Sequence, residues 1–397
     1  MAQTLNPLDV AAGRSGMAPD APVRLEPVPP RRLYRAKKAY TTRFLAERLN
    51  HSAEGFFLQV GTGVVPESGD VVLARVVRIG QHPKLESPAS RRQALFIGDE
   101  ILVPYGNRYA ADQFLAKVPA GLDPCHLIAA GGVAGLVVAQ HASMGQPTQI
   151  VPVGLLADGA GVLNLSRLAP HRLGQAVAGA DREAAFLHRP PVIAVLGTSM
   201  NSGKSTVLSC LVKGLSAAGM TVAAAKATGT GSGNDPGMYV DAGAARVLDF
   251  TDFGIPTTFE LDYGSLQAVF TGLVAALTDA DTNVVLVEIA DGVYQGETSR
   301  LLADPLFRAV VDRVVFTAAD ALGATAGLQV LRAADIQVTA VSGVLTSSPL
   351  AVREAAEAID IPVLETVALC EPSVAMALLP QEQGRLHFDD DHNKTGR

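Results

Sequence analysis

The pattern of apolar and polar positions divides the chain into stretches of different texture. Residues 1–36 contain Pro7, Pro19, Pro22, Pro27, Pro29 and Pro30 and no sustained periodicity, which predicts a mostly disordered arm. Residues 37–50 put Tyr40, Phe44 and Leu45 on one side of a helical projection, predicting one amphipathic helix packed on its own domain. From there to residue 168 the apolar runs are short, at 56–60, 71–79, 93–96, 100–104 and 149–156. Gly69-Asp70, Gly98-Asp99 and Asp158-Gly159 fall between runs as turn signals. Residues 37–170 therefore read as a smaller β-rich α+β domain, with a barrel as one way of closing it. A helical stretch at 110–118 and a Gly/Ala-rich segment at 129–139 interrupt the strands.

Residues 171–190 read as a linker, ending at Arg189-Pro190-Pro191. Beyond it, residues 191–380 alternate apolar strands with longer helical patterns, the signature of an α/β domain with a parallel sheet. Residues 381–397 are polar and read as a flexible tail. No internal repeat is visible.

The chemistry concentrates where the second domain begins. The apolar run 192–196 leads into Gly197, Thr198, Ser199, Met200, Asn201, Ser202, Gly203, Lys204, Ser205 and Thr206, and residues 207–215 continue at helical spacing until Gly219. Strand, glycine-bearing loop ending in Gly-Lys-Ser, then helix is the context a phosphate-binding loop (P-loop) requires. The loop's N–H groups can turn inward around phosphate oxygens, and the helix points its positive end at them. Lys204 would extend to the terminal phosphates and Ser205 would join a Mg²⁺ shell.

The loop has five residues between its first glycine and the Gly-Lys pair, where the common motif has four. This longer loop, opening Gly-Thr, resembles dethiobiotin synthetase and the amidotransferase-type cobyrinate synthases. The resemblance covers residues 191–380 and leaves the first domain unrecognised. It implies that Lys226, one of eight lysines and placed after the apolar run 221–225, joins Lys204 at the phosphates. It implies a metal-binding aspartate early in the next helix, where Asp241 fits the spacing best and Asp235 competes. It places Glu288 at a strand end as a metal ligand, although Ala290-Asp291-Gly292 departs from the family's glycine run. Where the family reads the base with Asn, this chain has Thr346 as its nearest polar residue, so ATP is preferred over GTP on the resemblance alone. The implied activity is Mg²⁺–ATP-dependent phosphoryl transfer to a small-molecule, carboxylate-type acceptor, as a ligase or kinase. In that reading Lys204 and Lys226 are catalytic, Ser205, Asp241 and Glu288 hold Mg²⁺, and the chain forms a homodimer. The alternative is a nucleotide-dependent switch or accessory NTPase whose first domain carries a protein or cofactor-biosynthesis partner, as in molybdopterin-guanine dinucleotide accessory protein B. Residues 198–202 lack the early lysine of the partition and metal-insertion ATPases, which counts against that subgroup.

Composition narrows the partners. A net charge of −7 excludes non-specific attraction to nucleic acid or to an anionic membrane. No apolar stretch has the roughly 20 residues of a spanning helix. Cys125, Cys210 and Cys370 are far apart with no CxxC pair, which fits a reducing cytoplasm. His82, His126 and His141 show no metal-ligand spacing. One loop of the first domain, residues 104–109, combines Tyr105, Arg108 and Tyr109 and could recognise an acidic or phosphorylated group, or stack its arginine.

Overall fold

The computed structural model describes residues 22–51, 55–173 and 189–380. The first 21 residues of the expected arm, most of the expected linker and the whole expected tail lie outside the described residues.

In the first domain the expected strands form. The hydrogen-bonded path runs Lys37–Lys38, Glu100–Pro104, Val71–Arg78, Thr148–Asp158, Cys125–Ala129, Val133–Gln140, Phe114–Lys117 and Arg108–Tyr109. A bridge from Tyr105 to Ala134 brings the end of Glu100–Pro104 back to Val133–Gln140, so five strands close on themselves as a small barrel. Alternate side chains face inward, as the two-residue period of a strand requires. Val72, Ala74, Val76, Ile101, Val103, Tyr105, Leu127 and Ile150 pack inside. Leu73, Leu102 and Leu156 face the other way, onto Leu33, Leu45, Phe56 and Leu58.

Three local expectations are corrected here. Residues 22–36 are not a disordered arm: Arg24–Val28 pairs antiparallel with Phe56–Val60, and Pro30–Arg35 is a helix starting on proline. Residues 37–50 are not one helix. Lys37 and Lys38 pair with Ile101 and Leu102, and a helix begins only at Leu45. The Thr42 hydroxyl, which donates to the Leu102 carbonyl at 3.0 Å, fixes the turn between them. Residues 110–118 contain a strand, Phe114–Lys117, because Phe114 and Ala116 alternate into the core against Val133–Gln140. The Gly/Ala-rich segment is itself two strands joined at Gly131 and Gly132.

The second domain is a parallel sheet with helices on both faces. Its strands, labelled here in chain order, are β1 (Val192–Gly197), β2 (Val222–Lys226), β3 (Arg246–Asp249), β4 (Val284–Glu288), β5 (Arg313–Thr317) and β6 (Val338–Ser342). They lie in the order β3-β2-β4-β1-β5-β6, all neighbours parallel. The helices are α1 (Lys204–Ala217), α2 (Asn234–Ala242), α3 (Tyr263–Leu277), α4 (Gly296–Ala303), α5 (Pro305–Val310), α6 (Ala321–Ala333), α7 (Pro349–Ala358) and α8 (Pro372–Met376). Helix α1 forms because Val207, Leu208, Leu211, Val212 and Leu215 recur at helical spacing and are all buried. Each such burial contributes about 1.5–3 kcal/mol. The helix expected to carry the metal-binding aspartate is α2, which starts at Asn234, since Pro236 is tolerated in a first turn. It ends at Gly243, whose φ of 107° stops it, and β3 follows. The apolar run 361–364 contributes only a single bridge, Val341 to Val363.

Candidate functional site

β1 ends at Gly197 and the loop 198–203 turns back over the sheet before α1 begins. Ser202 Oγ lies 2.7 Å from Thr317 Oγ1 on β5, and Ser202 O accepts from Val344 N at 3.0 Å. Asn201 (φ 60°) and Gly203 (φ 99°) take left-handed backbone conformations that aim successive N–H groups to one side. The φ at Gly203 favours glycine, and a side chain there would also be tight, with its Cβ 3.1 Å from the Gly343 Cα. No side chain caps α1 and no acid sits in its first turn, which leaves the N–H groups at its positive end directed into the cleft.

Lys204 is buried, and Nζ donates to the carbonyls of Ser199 at 2.8 Å and Asp291 at 2.6 Å. Burial lowers its pKa, opposed by Glu288 and Asp291. The ammonium thus braces the mouth of the loop through two backbone oxygens, contacts that phosphate oxygens could replace.

β2 and β4 are neighbours, and their last residues, Lys226 and Glu288, are in register. Lys226 Nζ forms an ion pair with Glu288 Oε1 at 3.3 Å and a shorter one with Asp235 from the first turn of α2. The Tyr239 hydroxyl donates to Glu288 Oε2 and is fully buried. Ser205 neighbours this cluster in the same cleft and helps lower the pKa of Asp235. Burial opposes charge on Lys226, yet Glu288 and Asp235 hold its ammonium above the ordinary lysine range. Asp235 goes the other way: burial would raise its pKa, but Lys226 brings it below the usual carboxylate value. Asp291 sits in the same cleft, and burial raises its pKa against the pull of Lys204 and Lys226.

Of the residues expected in the site, Gly203, Lys204, Ser205, Thr206, Met200, Asn201, Lys226 and Glu288 line one cleft of about 490 Å³. Asp241 does not join them. It is exposed near the end of α2, and the carboxylate that reaches the cluster is Asp235, one helix-turn-and-a-half earlier. The reason is the early start of α2, which turns Asp235 rather than Asp241 toward β2. Among the described residues no group of three or more His, Cys, Asp or Glu side chains is arranged to hold a metal ion by itself. The all-oxygen set of Ser205, Asp235 and Glu288 nonetheless fits a hard cation such as Mg²⁺, which takes one or two carboxylates and completes its shell with phosphate and water.

The sequence missed Tyr239 and left open whether the loop 104–109 recognises an acidic group or only stacks its arginine; the structure brings that loop to the cleft. Arg108, Tyr109 and Ala110 line it from the barrel side, and Asn201 Nδ2 donates to Asp112 at 2.8 Å across the domain boundary. The Gly-rich segment after Lys226 is pinned between domains. Glu86 accepts from Gly233 N at 2.8 Å and from the Ser232 hydroxyl at 3.1 Å. Gly131 and Gly231 approach so closely that a Cβ on Gly131 would fall 2.0 Å from the Gly231 oxygen.

No protein-family model matches the chain, and no curated protein matches it. Among solved structures it is similar to the signal recognition particle receptor FtsY from Elizabethkingia anophelis in complex with GDP. Identity is 16% over 50% of this chain and 61% of that one, with a TM-score of 0.31. It is similar also to the cell division protein ftsY of Thermotoga maritima (18%, 53% of this chain, 74% of that one, TM-score 0.31). A third is the signal recognition particle 54 kDa protein of Aeropyrum pernix K1 in complex with GDP (15%, 53% and 44%, TM-score 0.28). The chain spans less than two thirds of the length of the first of these neighbours.

The second domain has the P-loop NTPase fold, a statement that rests on its own sheet order and loop. Two expectations are corrected. The solved structures named above are signal recognition particle proteins and none is a small-molecule kinase or ligase; the dethiobiotin synthetase-type activity is not retained. Nor is the expected partner, a small-molecule substrate with nucleic acid excluded. Lys226, expected beside Lys204 at the phosphates, is paired with two carboxylates, and the Gly-rich segment after it is held in a domain interface. ATP is likewise not singled out over GTP. Among the described residues no helix is long and apolar enough to cross a membrane.

Proposed function

We propose that this protein is a nucleotide-dependent switch or accessory NTPase. A purine nucleoside triphosphate and Mg²⁺ would sit on the P-loop, and the phosphate state would set how the barrel domain rests against it for a protein partner. The observation that carries this reading is that the barrel domain forms one wall of the phosphate cleft, through Arg108, Tyr109, Ala110 and the Asn201–Asp112 bond. A group bound there contacts both domains at once.

In this reading the α1 N-terminus and Lys204 bind the phosphates, and Ser205 with Asp235 and Glu288 holds the metal, which supplies charge neutralisation on the phosphate oxygens. Lys226 positions the two carboxylates, and Tyr239 orients Glu288. Calorimetry with saturating Mg²⁺ is expected to show triphosphate binding that Lys204→Ala weakens by about 100-fold or more, the loss of a buried charge-assisted contact. Hydrolysis by the chain alone is expected to be slow and independent of added metabolites. No heat with any purine triphosphate, or turnover that requires a small-molecule acceptor, would remove the proposal.

A further inference from the structure

Arg108 is buried, at 7% exposure, and among the described residues no ion pair engages it. Nη2 donates to Gln113 Oε1 at 2.9 Å and Nη1 to the Ile128 carbonyl, while Nε is buried with no hydrogen-bond partner. Its nitrogen neighbour, His82 at 3.5 Å, offers no negative charge. An unpaired buried guanidinium is costly, and such a group is ordinarily matched by an anion. Burial pulls its pKa down to about 10, with Asp291 acting in the opposite sense, so it remains cationic at neutral pH.

Its place is one that an anionic ligand can reach. Arg108 lines the cleft that also contains Lys204, Ser205 and Lys226. It also borders a second cavity, of about 510 Å³, between the barrel and Ser232, so it stands where the two domains meet the phosphate site. The guanidinium fork suits phosphate oxygens better than a point charge does. We propose that Arg108 binds the terminal phosphate of the triphosphate held on the P-loop, and that through it the barrel domain distinguishes triphosphate from diphosphate. The inference deepens the switch reading and rests on it. A guanidinium drawn toward the phosphate would load its remaining bonds to Gln113 and Ile128, and so the strand Cys125–Ala129.

The test compares binding of a non-hydrolysable triphosphate and of the diphosphate, each with Mg²⁺, to the full chain and to Arg108→Gln. Triphosphate affinity is expected to fall about 10- to 100-fold, the scale of one charge-assisted hydrogen-bonding group, with diphosphate affinity as in the parent. Equal loss for both nucleotides, or loss for neither, overturns the inference while leaving the switch reading standing. Absence of nucleotide binding by the parent chain overturns both. Because Arg108 is buried, Arg108→Lys and a measurement on the parent accompany it. Arg108→Lys should give an intermediate loss for triphosphate only. In the parent, hydrogen exchange across residues 108–117 should slow more with triphosphate than with diphosphate. Identical exchange in the two states overturns the inference even if neither variant folds.

Discussion

Lys226 has a different character in three dimensions from the one its position in sequence suggests. It is a strand-end lysine, but its side chain is only 12% exposed and lies between Asp235 and Glu288. Removing it strands two carboxylates. Lys226→Ala is therefore expected to destabilise the domain by about 3–5 kcal/mol, read as a lower denaturation midpoint, and not merely to slow a reaction. The same pair gives a pH dependence with a definite sign. Asp235 titrates lower in the folded state than unfolded, so its contribution is complete above the unfolded value near 3.9 and is lost as pH falls through the folded value. Lys226 titrates higher when folded, so its contribution is complete below about 10.4 and is lost as pH rises through the folded value. Melting temperature against pH should fall at both ends, and Lys226→Ala should flatten the alkaline fall.

Two elements decide how the site is assembled. Helix α2 begins at Asn234 and so delivers Asp235 and Tyr239 to the ends of β2 and β4, leaving Asp241 outside. The turn at Gly131 decides how closely the barrel can approach the segment that feeds α2. A methyl group on Gly131 would meet the Gly231 backbone oxygen at 2.0 Å, and a backbone atom cannot rotate aside as a side chain can. Gly131→Ala is expected to cost about 1–3 kcal/mol, the usual cost of forcing atoms into a packed space. The loss should appear at the domain contact, as faster exchange in residues 227–233, with the sheet's own exchange unchanged.

The molecule as a whole behaves as two cores joined by a polar seam. Arg43, on the barrel side, donates to Asp252 and Thr251, each at 2.6 Å, and Tyr40 donates to Asp249 at 2.8 Å. Asp249 and Asp252 are buried, and Asp252 titrates above its ordinary value through burial and the neighbouring Asp249. Arg43→Ala leaves both acids uncompensated, at a cost of about 3–5 kcal/mol. Thermal unfolding should then separate into two transitions, one for each domain, where a single coupled transition is expected of the parent chain. Retention of a single unshifted transition would show that the seam contributes little.

Strand periodicity placed β1 and β2 almost to the residue, because each is a continuous apolar run buried in a parallel sheet. It missed β3, whose four residues are mostly half-buried at the sheet edge, and it misread 110–118, where local helical preference yielded to cross-strand packing. The P-loop was legible because its chemistry is local: the turn, the glycines, Lys204 and Ser205 are contiguous, and the strand and helix that position them are adjacent in the chain. What tertiary structure alone decided is everything that depends on distance across the chain. Asp235 rather than Asp241, Tyr239 on Glu288, and Arg108 in the wall of a cleft built nearly a hundred residues later are such cases. A sequence displays spacing along one line, whereas a buried charge finds its partner only when packing brings separate elements together.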